Sequence, residues 1–347
     1  MRAINLNSKK IIRIAAFLLL LISFTFSVSF AVEVLTKENG LISNQATNIR
    51  VEDDNIWFIA ETFGISSLNK ESGEFTTYGS DSKLVAGTIG SAVKAFDKIW
   101  VGTSLGVHSM DSKGNIETIT EIEVPHPRKP GVVIKKTFDK SERVWFKGGK
   151  LWVCSMGVRG GLYTFNGSNW DEVSVGKQTF NYVNDLEVFN NEEWFATSAM
   201  GIYIRNVKKG SWRFISPGKD KLVIAQVPRG AMSAIMELDG VIWAASSGGI
   251  YEIQPQEEGK VEVTVHDSKT TDGAIKNNLF TSLVATESGD IYAGTTSVLY
   301  MYSNGSWSEV QLTGEDGNPI RVNRVYSLAA DGDTVYVGLS TGVVKIN

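Results

Sequence analysis

One pattern recurs seven times along the chain and constrains its fold more than any other feature. An aromatic residue is followed by small or β-branched residues, a short polar turn, a glycine in most copies and then an aliphatic, as in Ile99-Trp-Val-Gly-Thr-Ser-Leu-Gly-Val107. Copies begin at Trp57, Trp100, Trp152, Trp194, Trp243, Tyr292 and Tyr336, at intervals of 43, 52, 42, 49, 49 and 44 residues. Self-similarity at that period marks a repeat architecture, and a unit of this length with four short strands is the signature of a β-propeller blade.

Each repeat divides into four strands, A to D, by its alternating pattern and its turn residues. In the first repeat, Asn48–Glu52 reads as A, Ile56–Ala60 as B, Ile65–Asn69 as C and Glu74–Tyr78 as D. The seventh offers only Val325–Ala330, Val335–Leu339 and Val343–Ile346. The segment Val32-Glu-Val-Leu35 resembles a D strand such as Val261-Glu-Val-Thr264, so it is expected beside Val343–Ile346, where it closes the ring and removes an open sheet edge. The expected fold is an all-β, seven-bladed propeller of four-stranded antiparallel blades over residues 32–347. The 347 residues then form one repeat domain after the leader, not the two or three domains that length alone suggests.

The first 31 residues read as a signal peptide. Lys9, Lys10 and Arg13 precede an uncharged run from Ile14 to Phe30, and Ser29-Phe30-Ala31 places small residues for cleavage after Ala31. The competing reading is a retained anchor, since the run lies at the short limit for a spanning helix. No second run of that length follows, so the expected location is periplasmic or secreted, with no membrane span in the mature chain.

Net charge is −4, which gives no basic field for nucleic acid. A single cysteine, Cys154, excludes an intramolecular disulfide framework. The three histidines, His108, His126 and His266, fall at different radial positions, and no G-x-S-x-G, H-E-x-x-H, C-x-x-C or P-loop motif occurs. No metal, no cofactor and no catalytic constellation is expected. Asn166-Gly-Ser168 and Asn304-Gly-Ser306 match glycan acceptors, but Asn-Gly is also a strong hairpin signal and the turn reading is preferred.

The quoted blade motifs resemble those of the two-component regulator propeller family, with a strand, an Asp-rich turn, Trp-aliphatic-Gly-Thr and then Gly-aliphatic. Matching stretches are Val51-Glu-Asp-Asp-Asn-Ile-Trp57, Trp100-Val-Gly-Thr103, Glu193-Trp-Phe-Ala-Thr197, Trp243-Ala-Ala-Ser246, Tyr292-Ala-Gly-Thr295 and Tyr336-Val-Gly338. The resemblance implies a sensor-like exported domain. Members are often joined to a transmembrane histidine kinase, which this sequence does not contain, so a signalling role would need a separate partner protein.

In a propeller the D–A and B–C connections share one face, and here the D–A connections are the long ones. Long loops on a rigid scaffold carry binding sites. The longest, 121–142, includes Pro125-His-Pro-Arg-Lys-Pro130, expected to project as a stiff stretch. Candidate binding residues on this face are Arg128, Lys129, Arg159, Phe180, Tyr182, Asn184, Arg229, Asn277, Asn278, Phe280, Arg321, Asn323 and Arg324. Cations beside amides and aromatics suit a carboxylate-bearing partner or an anionic ligand. The first expectation is a non-catalytic, monomeric recognition module that binds another envelope protein through this face. The alternatives are a small anionic or saccharide ligand at the channel mouth and, more weakly, a propeller lyase or lactonase.

Overall fold

A computed structural model describes residues 27–157, 160–175, 180–198, 201–216, 222–227 and 230–347. The chain is all-β and proceeds as successive antiparallel meanders. The first comprises Asn48–Val51, Asn55–Ala60, Gly64–Asn69 and Phe75–Tyr78, within a residue or two of the strands expected from the sequence. Equivalent four-stranded meanders begin at Ile89, Arg143, Val183, Met232 and Phe280, and a three-stranded one spans Ser327–Ile346.

The recurring motif is explained by how these units stack. Its aromatic lies on strand B and is buried in every copy, from Trp152 at 0% exposure to Trp243, Tyr292 and Tyr336 at 5%. Each apolar cluster is shared by two units. Trp100, Val107, Val144, Leu151 and Tyr163 join the second to the third, and Ile49, Phe58, Ala329, Tyr336 and Val343 join the first to the last. Truncating such an aromatic to alanine costs about 3–5 kcal/mol, so the repeated residue is the adhesive between units.

Two positions after the aromatic the residue is small in every copy but the first, which has Ile59, and at the glycines the next unit's backbone lies against it. A Cβ on Gly102 would stand 2.5 Å from the Ser141 carbonyl oxygen, and one on Gly338 would stand 2.5 Å from that of Ala46. The hydroxyl at the next position closes the B–C turn. Thr103 Oγ1 donates to the Gly106 carbonyl at 3.0 Å, Thr197 to Gly201 at 2.7 Å and Ser246 to Gly249 at 2.9 Å. The turn glycine itself must be glycine: Gly106 has φ +124°, and its Cβ would meet the Ile119 carbonyl of strand D at 2.7 Å.

Three features depart from the plain meander. First, 121–142 is not a stiff projection. Glu121–Pro125 and Val133–Thr137 pair as an antiparallel hairpin, with Ile122 and Val124 buried against the third unit and the 126–132 tip and the outward side chains of both strands displayed. The alternation of apolar and charged residues on both flanks of the prolines drives this, each proline standing at a strand end or in the tip. Second, Val223–Ala225 adds a parallel fifth strand beside Trp212–Ile215.

Third, the N-terminal strand runs from Ser27 to Leu35. Glu33, Val34 and Leu35 pair with Lys345, Val344 and Val343, as the sequence led us to expect. In the last unit, a Cβ on Gly342 would meet the Leu35 carbonyl at 2.7 Å, so Leu35 stands where Ile119 stands in the second unit. The strand also begins upstream of the expected cleavage site: Ser27–Val32 pairs in parallel with Glu309–Gly314 of the sixth unit. The rest of the expected leader, residues 1–26, lies outside the described residues.

Candidate functional site

Two adjacent residues at the start of each strand A, polar in most units, line the central cavity. Thr47-Asn48, Gly90-Ser91, Glu142-Arg143, Asn184-Asp185, Ser233-Ala234, Thr281-Ser282 and Tyr326-Ser327 supply one pair per unit to a single cavity of about 510 Å³. Arg50, Glu61 and Arg324 add charge to it. A second cavity of about 460 Å³ continues along the same strands and shares Arg50, Trp145, Asp185, Leu283 and Leu328 with the first, so these residues form the waist between them.

Much of this polar layer ties one unit to the next. Ser91 Oγ accepts from Val144 N at 2.7 Å and donates to the Glu142 carbonyl at 3.0 Å. Arg143 donates to the Val183 carbonyl at 3.0 Å and to Asn184 Oδ1, while Asn184 Nδ2 donates to Met232 O at 2.5 Å. Asp185 Oδ2 accepts from Ile235 N at 3.0 Å, and Thr281 Oγ1 donates to Val325 O at 2.7 Å. Ser327 Oγ accepts from Ile49 N at 3.0 Å, linking the last unit to the first. Burial pushes the Asp185 carboxyl above its ordinary range, against the opposing pull of Arg50 and of the Ile235 amide.

Other groups in the cavity are uncommitted. Among the described residues, the side chains of Arg50, Glu61, Glu142 and Arg324 make no hydrogen bond or ion pair, although Arg324 stacks on Tyr326 at 5.1 Å. Asn48 Oδ1 and Ser282 Oγ are buried without a partner.

Around the mouth the D–A loops and B–C turns do share one face, because the same backbone bond joins them unit after unit. Ser104 N donates to Thr88 O at 2.8 Å, Met156 N to Lys140 O at 3.1 Å, Ser198 N to Tyr182 O at 3.0 Å and Ser247 N to Ala231 O at 3.0 Å. Of the ten large apolar side chains that are exposed among the described residues, eight lie on these connections. Phe63, Leu105 and Met156 come from B–C turns, and Val132, Val133, Tyr182, Leu222 and Leu279 from D–A loops. Only Phe146 and Val207 stand elsewhere.

Of the residues picked from the sequence, Asn184 and Arg324 line the cavity. Tyr182, Arg321 and Asn323 are exposed on the same face, and Arg128 and Lys129 occupy the hairpin tip. Asn277 and Asn278 brace their loop. Asn277 Nδ2 donates to Ser297 Oγ at 2.8 Å, and Asn278 Oδ1 accepts from Ser268 N at 3.0 Å. Phe180 and Phe280 need correcting: at 5% and 3% exposure they are inter-unit core, where no ligand reaches them. Arg159 and Arg229 lie outside the described residues.

The histidines are dispersed. His108 is buried between the Thr103 and Thr118 hydroxyls, where burial lowers its pKa, His126 is on the hairpin tip, and His266 bonds Glu252 at 3.0 Å. Asn166 Oδ1 accepts from the amides of Ser168 and Asn169, and Asn304 and Gly305 both have positive φ, so these two sites are built as hairpin turns.

Comparison with solved structures places the chain among β-propellers. The extracellular domain of the hybrid two component system BT4673 from B. thetaiotaomicron aligns with TM-score 0.66 at 15% identity, over 91% of this chain and 40% of that one. That of BT3049 from the same organism gives 0.60 at 14%, over 92% and 42%. Virginiamycin B lyase from Staphylococcus aureus gives 0.61 at 14%, over 91% and 98%. The chain thus spans less than half of the two extracellular domains, and at these identities the likeness is one of fold. No family model and no curated protein matches the sequence. No helix among the described residues is long and apolar enough to cross a membrane.

Proposed function

We propose that this chain is a seven-bladed propeller whose ring is closed by Val32–Leu35, and that it works outside the cytoplasm as a non-catalytic, sensor-like recognition module. Closure is supported by the last and first units meeting as inner neighbours do: the Gly338–Ala46 approach repeats that of Gly102 and Ser141. The partner is another envelope protein, bound through the D–A and B–C face.

One observation carries the choice of partner: eight of the ten exposed large apolar side chains among the described residues sit on the connections of that face, which also opens on a cavity lined by Arg50, Arg143 and Arg324. Apolar side chains rimming a charged centre suit a protein surface that presents a carboxylate. Affinity capture from solubilised envelopes tests it. Phe63→Ser with Tyr182→Ser, and separately Arg50→Glu with Arg324→Glu, should each deplete the same captured protein at least about tenfold, since two interface anchors are worth a few kcal/mol. Equal capture by all three chains would reject the reading.

The uncommitted Arg50 and Arg324 and the unpartnered Asn48 Oδ1 also favour a second reading, a small anionic or saccharide ligand at the mouth. Such a ligand at a hundredfold excess over its Kd would add about 2.7 kcal/mol of stability. That gain should vanish in Arg50→Ala.

A further inference from the structure

We propose that the outer edge of Glu309–Gly314 is a docking slot for an extended segment of a partner protein. In this account the slot is held by the chain's own Ser27–Ala31 until the leader is removed after Ala31. The proposal rests on the leader reading of residues 1–31 and is independent of the loop-face reading.

The strand Ser27–Leu35 is two strands in sequence. From Glu33 onward it pairs antiparallel with Lys345–Val343, whereas Ser27–Val32 pairs in parallel with Glu309–Gly314. The predicted cleavage site falls at the junction between them. Cleavage there leaves Glu33–Leu35 seated and strips Glu309–Thr313 of its neighbour.

The segment that would leave is built to fill a site. Val28 and Phe30 are partly buried against the core cluster that contains Val310 and Leu312, while Ser27, Ser29 and Ala31 alternate outward. Val310 and Leu312 are only 3% and 2% exposed with that segment in place. Its removal leaves both an unpaired backbone edge and two apolar seats, the combination that a peptide added as an extra strand exploits: main-chain bonds give affinity and alternate side chains give selectivity. The occupant is therefore an extended segment with bulky apolar residues two apart and small residues between. A second copy of this chain cannot supply its own Ser27–Ala31, because the same cleavage removes it from every copy.

The test uses the exported protein purified from envelopes. Its intact mass gives the first residue, and hydrogen exchange is followed at Gln311 and Thr313, whose amides alternate with those of Leu312 and Gly314 that face Pro319–Ile320 and Asn318, with and without the peptide Ser-Val-Ser-Phe-Ala-Val. We expect a chain beginning at Val32 and exchange slowed at least about tenfold by the peptide, in line with the protection of paired over unpaired strand amides. The same peptide with Val and Phe replaced by Ser should have no effect. A mature chain that retains Val28 and Phe30 would overturn the leader reading and the slot with it. A chain beginning at Val32 whose Gln311 and Thr313 amides are already slow, or are unmoved by the peptide, would overturn the slot alone.

Discussion

Gly102→Ala isolates the contact that makes these units stack. Gly102 does not have a positive φ, so alanine there meets no backbone strain of its own. Its added methyl would instead stand 2.5 Å from the Ser141 carbonyl oxygen and 2.9 Å from the Glu142 carbonyl carbon, both in the next unit's backbone. Neither can rotate away as a side chain would, so the two units must separate locally. Overpacking of this kind costs about 1–3 kcal/mol. The same separation stretches both Ser91 bonds to the next strand, from Val144 N at 2.7 Å and to Glu142 O at 3.0 Å, each worth about 1 kcal/mol. A total near 3 kcal/mol in a chain of this size lowers the melting midpoint by roughly 4–5 °C. Differential scanning calorimetry of wild type, Gly102→Ala and Ala245→Gly measures it, the last being the reverse change at the equivalent, fully buried position of the fifth unit. Ala245→Gly loses a buried methyl and should fall by only about 1 kcal/mol. A Gly102→Ala midpoint within a degree of wild type would refute the claim that the motif's small residue is set by the approach of neighbouring units.

Two further predictions concern buried titratable groups. Because burial raises the Asp185 carboxyl above its ordinary 3.8, its contribution to stability is fully present below that value and is lost as pH rises through the raised one. The stability advantage of wild type over Asp185→Asn in urea should therefore shrink from pH 4 to pH 8, and an advantage that grows over this range would contradict the assignment. Cys154 is fully buried and its thiol is pushed up to about 11, leaving about one thiolate in a thousand at pH 8. Maleimide should label the unfolded chain and leave the native one untouched over hours, and native labelling at the rate of a free thiol would contradict its burial.

How much of this was legible in the sequence depends on what each residue type reports. Strand positions were readable because every B strand carries its aromatic and most turns a glycine or asparagine, and these report local geometry. The pairing of Glu33–Leu35 with the last unit was readable from a strand surplus at one end and a deficit at the other. The core role of Phe280 was not read, although aligning the repeats reveals it. Phe280 stands two residues before Ser282, as Ile89 stands before Ser91, Val183 before Asp185 and Val325 before Ser327, and all of these are buried. The same alignment exposes the channel layer, since the dipeptide after that position lines the cavity in every unit and is polar in most of them. Reading the loops for charge singled out Asn184 and Arg324 but passed over Arg50, Glu142 and Arg143, which belong to strands or their first residues. Their inward direction follows from register, which only the pairing of strands defines.

The central claim is that the face carrying the D–A loops meets a protein partner. A photo-crosslinking residue placed singly at Phe63, Leu105, Tyr182 or Leu279, and at Phe146 or Val207 as the opposite-face comparison, tests it in intact cells. The account predicts that the first four trap one and the same envelope protein and that the last two trap none of it. Trapping from Phe146 or Val207, with none from the first four, would contradict it.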